Sequence, residues 1–163
     1  MLILGIDPGL ATVGFGVVDC FKNKFRAVEY GAVLTPAGVA VPDRLSEIYD
    51  GISELCEKFC PDAVSIEELF FNDNAKTAVN VCQARGVILL ALKKHGVPIY
   101  EYTPLQIKQA VTGYGRADKK QIQYMVKTLL SLDSVPKPDD TADALAAAIC
   151  HGYSAGSILF GLQ

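Results

Sequence analysis

The chain is poor in the residues that mark the commoner active-site chemistries. Its two histidines, His95 and His151, are isolated and belong to no motif. Its five cysteines (Cys20, Cys56, Cys60, Cys82 and Cys150) form no Cys-x-x-Cys pair. Cys56 and Cys60 stand four apart on a predicted helix. No histidine or third cysteine lies near them in sequence, so core burial is favoured over a metal site. An odd number of thiols without a secretion signal predicts free, mostly buried cysteines. No apolar run reaches membrane-spanning length. The segment Met1 to Ile6 has no basic residue and meets Asp7 at once, so no signal peptide is expected and the cytoplasm is the expected compartment. Linkers, repeats and low-complexity stretches are absent. With 163 residues, half of them apolar, one domain with a sizeable core is expected. Its expected span is 1–154, with 155–163 as an uncharged, poorly ordered C-terminal tail.

Positive charge is also scarce. A net charge of −3 is unusual for a protein that binds nucleic acid, but the charges are segregated. Between Pro42 and Asp73 there are nine acids against two bases, Arg44 and Lys58. Between Pro104 and Leu132 there are five bases (Lys108, Arg116, Lys119, Lys120 and Lys127) against one acid, Asp118. A local basic patch can dock phosphates within an acidic chain. A solvated helix face would give the same run.

Strand signals dominate the first third. Leu2–Asp7, Thr12–Cys20 and Lys24–Leu34 are rich in Val, Ile, Leu and Phe and are separated by turns at Pro8-Gly9 and Lys22-Asn23. A helix follows with Leu45, Ile48, Ile52, Leu55 and Phe59 on one face, ending before Pro61. Ala63–Glu67 is a short buried strand. Asn74 is placed to cap a long helix that stops at Gly96. Val97–Tyr102 is a strand, and helices are predicted over Pro104–Val111, Ala117–Leu132 and Asp140–Tyr153. The order is that of an α/β fold opened by an antiparallel meander. The helix over 74–95 is apolar around most of its circumference, with Ala75, Ala78, Val79, Cys82, Gly86 and Leu89 as one stripe. Such a helix needs cover on two sides. The sheet is one cover; the other is a second subunit or the last helix.

The acids carry the chemistry. Asp7 closes the apolar run Leu2–Ile6, and Glu67 closes the run Ala63–Ile66. In the second strand Val64 and Ile66 face one way, Ser65 and Glu67 the other, and Glu68 alternates away from Glu67. Asp140 and Asp143 are three apart and share a helix face. Asp139 is four from Asp143, so spacing does not separate Asp139 from Asp140. Acids in a first helical turn are also favoured by the helix dipole alone. Bare acids gathered at one point are costly unless a cation neutralises them. Mg²⁺ fits, since it takes few carboxylates and completes its shell with water and phosphate. Metal-assisted phosphodiester cleavage is therefore the leading expectation. Gly5-Ile6-Asp7-Pro8-Gly9, with Gly14 and Gly16 beyond, would also suit the phosphate hairpin of an actin-like ATPase, but that needs two copies of such a domain.

Together, Gly5-Ile6-Asp7-Pro8-Gly9, Ile66-Glu67-Glu68-x-Phe70, Asn74-Ala75, Gln83-Ala84-Arg85-Gly86, Lys108-Gln109, Asp118-Lys119 and Asp140-Thr141-Ala142-Asp143-Ala144-Leu145 closely resemble the RuvC family of bacterial Holliday-junction resolvases. The likeness runs in register from about Met1 to Tyr153. It implies an RNase H-like fold, a mixed five-stranded sheet flanked by helices. It implies a homodimer, through the helix over 74–95. It implies paired symmetric nicks in four-way DNA junctions during recombination and repair, leaving 5′-phosphate and 3′-hydroxyl ends. The cofactor implied is Mg²⁺, two per site, with Mn²⁺ as a substitute. The implied catalytic and metal-binding residues are Asp7, Glu67, Asp140 and Asp143, not Glu68 or Asp139. DNA contacts are expected from Phe70, as a junction wedge or stacking ring, and from Lys108, Arg116, Lys119 and Lys120. The branch-migration proteins RuvA and RuvB are the implied partners. Glu68, often Gln in relatives, and Asp139 are mild departures that add negative charge. A related RNA nuclease and a non-catalytic junction binder are the remaining alternatives.

Overall fold

Three antiparallel strands begin the chain: β1 (Leu2–Asp7), β2 (Thr12–Phe21) and β3 (Lys24–Leu34). The computed structural model describes residues 1–68 and 75–159, with side chains for 1–68 and 78–156. Lys22 and Asn23 both take positive φ, 48° and 59°, as a two-residue hairpin of the right twist requires. Helix α1 (Val41–Phe59) then leads to β4 (Ala63–Glu67), helix α2 (Ala75–Lys94) and β5 (Ile99–Tyr102). Helices α3 (Pro104–Thr112), α4 (Lys119–Leu129) and α5 (Asp139–Leu159) complete the chain. The strand order is β3-β2-β1-β4-β5, antiparallel across the first three and parallel from β1 through β4 to β5. This is the mixed five-stranded sheet expected from the sequence.

Strand alternation sorts the side chains into two cores. Leu4, Ile6, Val13, Val17, Val64 and Ile66 pack with Ile48, Ile52, Ile88 and Leu92 of α1 and α2 on one face. Ile3 and Val18 pack with Ile107, Ile122, Val126, Leu145 and Ile149 of α3, α4 and α5 on the other. Each such fully buried side chain contributes about 1.5–3 kcal/mol. Of the five cysteines, all free, Cys20, Cys56 and Cys150 are buried, whereas Cys60 and Cys82 are exposed.

The helix ends follow local chemistry. Thr103 and Gln106 form a capping box at the start of α3, and Asp118 and Gln121 form another at the start of α4. The second begins α4 at Lys119, two residues later than the apolar pattern suggests, and left-handed Ser131 (φ 51°) follows its end. Helix α5 continues to Leu159, so residues 155–159, expected in a poorly ordered tail, are helical. Phe70 and Phe71, and the Asn74 cap, lie outside the described residues.

Two expectations change. The last helix does not cover the outer side of α2, because α5 lies on the opposite face of the sheet. Instead α2 buries Ala84, Ile88, Ala91 and Leu92 and leaves Val79, Cys82, Gly86 and Leu90 outward. Gly14 and Gly16 do not form an open phosphate hairpin: they lie beneath α5.

That contact sets the geometry of the whole face. A methyl group on Gly5 would overlap the carbonyl of Ala144, and one on Gly14 would overlap the carbonyl of Asp140. On Gly16 it would meet the Leu145 side chain. Ser65 Oγ donates to the Ala147 carbonyl at 2.6 Å, and Thr141 Oγ1 donates to the Gly31 carbonyl at 3.0 Å. Small residues on β1, β2 and β4 thus let the backbone of α5 lie directly on the sheet. Gly14→Ala is expected to cost roughly 1–3 kcal/mol, the usual penalty for overpacking. Urea unfolding measures it; a variant as stable as wild type would show that α5 does not sit this close.

Candidate active site

Asp7 and Glu67 end adjacent parallel strands, whose pairing runs up to Ile6 opposite Ile66. Both point to the α5 face, because they share the alternation of Gly5 and Ser65. Asp7 is also paired with Gly14 across β1 and β2, and the space above Gly14 is filled by Asp140. One helical turn on, Asp143 joins Glu67, Lys108 and Lys119 in the wall of a cleft of about 270 Å³. Pro104, Ile107, Ile122 and Ala146 form its apolar lining.

The acids feel one another. Burial, then Asp143, Asp140 and Glu67 in that order, push the Asp7 carboxyl up from its ordinary 3.8 to about 8, against a smaller opposing pull from Lys119. Burial and Asp143 raise Glu67, with Lys108 opposing. Burial also raises Asp143, and Lys119 opposes it. The structure therefore brings Asp7, Glu67, Asp140 and Asp143 together. Asp139, the last of the groups acting on Asp143, raises it as well. The Glu68 backbone N–H donates to the Tyr102 carbonyl at 2.8 Å. Asp139 pairs with Lys137 at 3.0 Å and with Lys119 at 3.6 Å, and its own pKa falls, chiefly through the hydrogen bond from Lys137.

Lys119 is the first residue of α4 and Lys120 the second, a place where the helix dipole disfavours cations. Acids across the cleft compensate: Lys119 Nζ lies 3.3 Å from Asp143. Partial burial alone would lower the Lys119 pKa, but Asp143 and Asp139 outweigh it and the net shift is upward. Arg116 and Lys120 are exposed and do not line the cleft. Phe70 cannot be placed, being outside the described residues. Arg85, in the block Gln83-Ala84-Arg85-Gly86, has no role assigned by its sequence position alone. It is buried on α2, donates to the Glu67 carbonyl at 3.0 Å and pairs with Glu101 at 2.8 Å. A basic residue on an apolar helix is the available signal.

The donor set suits a hard divalent cation: carboxylate oxygens gathered where burial first, and then their mutual repulsion, raise Asp7 to about 8. Among the described residues, no group of three or more His, Cys, Asp or Glu side chains is placed to hold a metal ion. Mg²⁺ does not need one, since water and substrate phosphate supply most of its shell.

An acidic cleft beside lysines, on one face of a mixed sheet with this strand order, defines an RNase H-like nuclease. The comparisons narrow the class to a family. The sequence model of Crossover junction endodeoxyribonuclease RuvC matches residues 3–151, and the chain belongs to that family. It is 58% identical over 154 residues to the Clostridioides difficile member, covering 94% of this chain and 91% of that one. It is 60% identical over 151 residues to the Brevibacillus brevis member, covering 93% and 91%. The solved structure of T. thermophilus RuvC in complex with a Holliday junction substrate superposes with a TM-score of 0.91 at 38% identity, covering 96% of this chain and 95% of that one. Members of this family are metal-dependent nucleases.

The electrostatics give a pH test. Between 3.8 and about 8 the folded, metal-free protein holds more protons at Asp7 than the unfolded chain does, so its stability falls as pH rises through that window. Asp7→Asn removes this cost. With chelator present it is expected to melt above wild type at about pH 8.5 and to lose that advantage toward about pH 4.5. Parallel melting curves across the range would contradict the coupling.

Proposed function

We propose that this chain resolves four-way DNA junctions, as a homodimer that makes paired symmetric nicks with Mg²⁺ as its metal, two ions per site, and Mn²⁺ as a working substitute. The observation that carries the reading is the coupling of Asp7 to Glu67, Asp140 and Asp143 at a cleft that also holds Lys108 and Lys119. Family membership and the likeness to a resolvase bound to its junction support it.

Asp7, Glu67, Asp140 and Asp143 would hold the metal ions. Once bound, these supply Lewis acidity, which lowers the pKa of an attacking water and stabilises the departing oxygen. The carboxylates fix where the water stands. The water oxygen bonds to phosphorus, the P–O3′ bond breaks, and the 3′ oxygen takes a proton, leaving a 5′-phosphate and a 3′-hydroxyl. Lys108 and Lys119 hold non-bridging phosphate oxygens and offset the charge of the acids. Lys119 already does so toward Asp143. Arg116 and Lys120 extend the basic surface along the DNA arms, where phosphate contacts supply affinity. Phe70 follows β4 closely in sequence and is assigned the opening or stacking of bases at the crossover.

The dimer is assigned to the outward face of α2. Val79 is 57% exposed and Leu90 52%, with Cys82 and Gly86 between them, so small and apolar groups face solvent together. A second copy related by a two-fold axis covers that face and matches a substrate with two-fold symmetry. RuvA and RuvB are the partners assigned for branch migration. The cytoplasm is the compartment assigned; among the described residues no helix is long and apolar enough to cross a membrane.

Nicking of a synthetic four-way junction, with Mg²⁺ and with chelator, tests the reading. The wild type should nick only with metal. Asp7→Asn, Glu67→Gln, Asp140→Asn and Asp143→Asn should each lose nicking while still shifting the junction in a gel. Glu68→Gln and Asp139→Asn should stay active. Cleavage of duplex or RNA in preference to the junction would favour a different nuclease of this fold. Val79→Glu with Leu90→Glu should sediment as a monomer and lose paired nicking; a dimer that survives both would move the interface elsewhere.

A further inference from the structure

Arg85 stands where a catalytic strand, a helix and an edge strand meet. Its side chain is 10% exposed, and its guanidinium reaches two acceptors on different strands. Nη1 donates to the Glu67 carbonyl at 3.0 Å, and Nη2 pairs with the Glu101 carboxylate at 2.8 Å. Glu101 lies on β5, opposite Ile66 in the parallel ladder, one residue before the partner of Glu67. The chain leaves the sheet just beyond: Glu67 is the last residue of β4, held by the Glu68 N–H to the Tyr102 carbonyl at 2.8 Å and by Arg85.

A guanidinium buried inside a helix–sheet contact is costly unless its hydrogen bonds are made. An apolar residue at this place would extend the buried face of α2, where Ala84 and Ile88 already pack, without that cost. Packing therefore does not account for arginine. Its planar fork does, because a carbonyl and a carboxylate on neighbouring strands can be held at once by two nitrogens of one rigid group. An ammonium on a flexible stem offers a single point charge instead.

We propose that Arg85 is a positioning residue for the metal centre. It fixes the C-terminal end of β4, and thereby the Glu67 carboxylate, in the place from which Glu67 meets the other acids. Glu101 acts through it, by orienting the guanidinium. Arg85 touches no reacting group. The inference rests on Glu67 being a metal ligand and adds the device that holds it there. Such outer partners of metal ligands typically govern affinity by about 10–100-fold.

The test measures Mn²⁺ binding by calorimetry without DNA, together with melting temperature and the metal dependence of nicking. The variants are Arg85→Lys, Arg85→Met and Glu101→Ala. Glu101 is 45% exposed, so Glu101→Ala folds even if Arg85→Met does not. Expected are Mn²⁺ binding weakened about ten-fold in Arg85→Lys and in the same direction, less strongly, in Glu101→Ala. Nicking should need more metal for half-saturation yet approach the wild-type rate at saturation. Mn²⁺ affinity within about two-fold of wild type in both Arg85→Lys and Glu101→Ala overturns the proposal. So does a lowered melting temperature with unchanged Mn²⁺ affinity, which would leave Arg85 as a brace for α2 only. If the wild type itself binds no Mn²⁺, the metal-ligand reading of Glu67 fails first, and the positioning role fails with it.

Discussion

Direct contact between the backbone of α5 and the sheet is the constraint on which the rest of this molecule depends. Two of the acids reside on strands and two on the helix, so no local rule of the chain brings them together. The approach does, and it is possible only because Gly5, Gly14 and Gly16 present no side chain beneath Ala144, Asp140 and Leu145. Ser65 Oγ and Thr141 Oγ1 then satisfy or use carbonyls at both ends of the contact. With the helix seated, Asp140 falls over the partner of Asp7, and Asp143 falls into the cleft beside Glu67.

The same contact creates an electrostatic cost that the fold accepts. Asp7 is driven up to about 8, so the protein without metal keeps a proton where the proposed metal site needs a charge. Placing Asp139 and Asp140 in the first turn of α5 offsets part of the repulsion through the helix dipole. Lys119 offsets more, at the disfavoured end of α4. The first-turn acids of α5 follow a local rule of stability, whereas the buried Asp7 and Lys119 at the start of α4 each break one, and the breaks gather at one cleft. That is the pattern of a site selected for what it binds rather than for what it contributes to folding.

Much of this was legible in the sequence where a single physical signal sufficed. Apolar runs that end on an acid marked Asp7 and Glu67, because a strand end is where a buried run must meet solvent. The Asp140/Asp143 spacing marked a helix face. Spacing could not choose between Asp139 and Asp140, since both lie within one turn of Asp143; the family resemblance chose Asp140, and in the structure Asp140 lies over Gly14 while Asp139 pairs with Lys137. The glycines were ambiguous in kind: the same pattern serves an open phosphate hairpin or a flat bed for a helix, and which it is depends on what arrives far later in the chain, at Asp140 and Leu145. The apolar circumference of α2 signalled a helix with more than one apolar side, but which stripe faces inward is set by α1 and the sheet, not by periodicity. Arg85 escaped because burial of an arginine depends on acceptors from two other strands. The length of α5 escaped because Ser154 and Gly156 are weak helix formers, and the Ser154 hydroxyl instead bonds back to the Cys150 carbonyl.

Anomalous diffraction from crystals soaked in Mn²⁺ tests the central claim most directly, because it locates the metal without relying on turnover. The account predicts a peak within bonding distance of the Asp7 carboxylate and of at least one of Glu67, Asp140 and Asp143, with Lys119 still at the rim of the cleft. An ordered Mn²⁺ held instead by Glu68 or Asp139, or no peak at Asp7 at saturating metal, would contradict it.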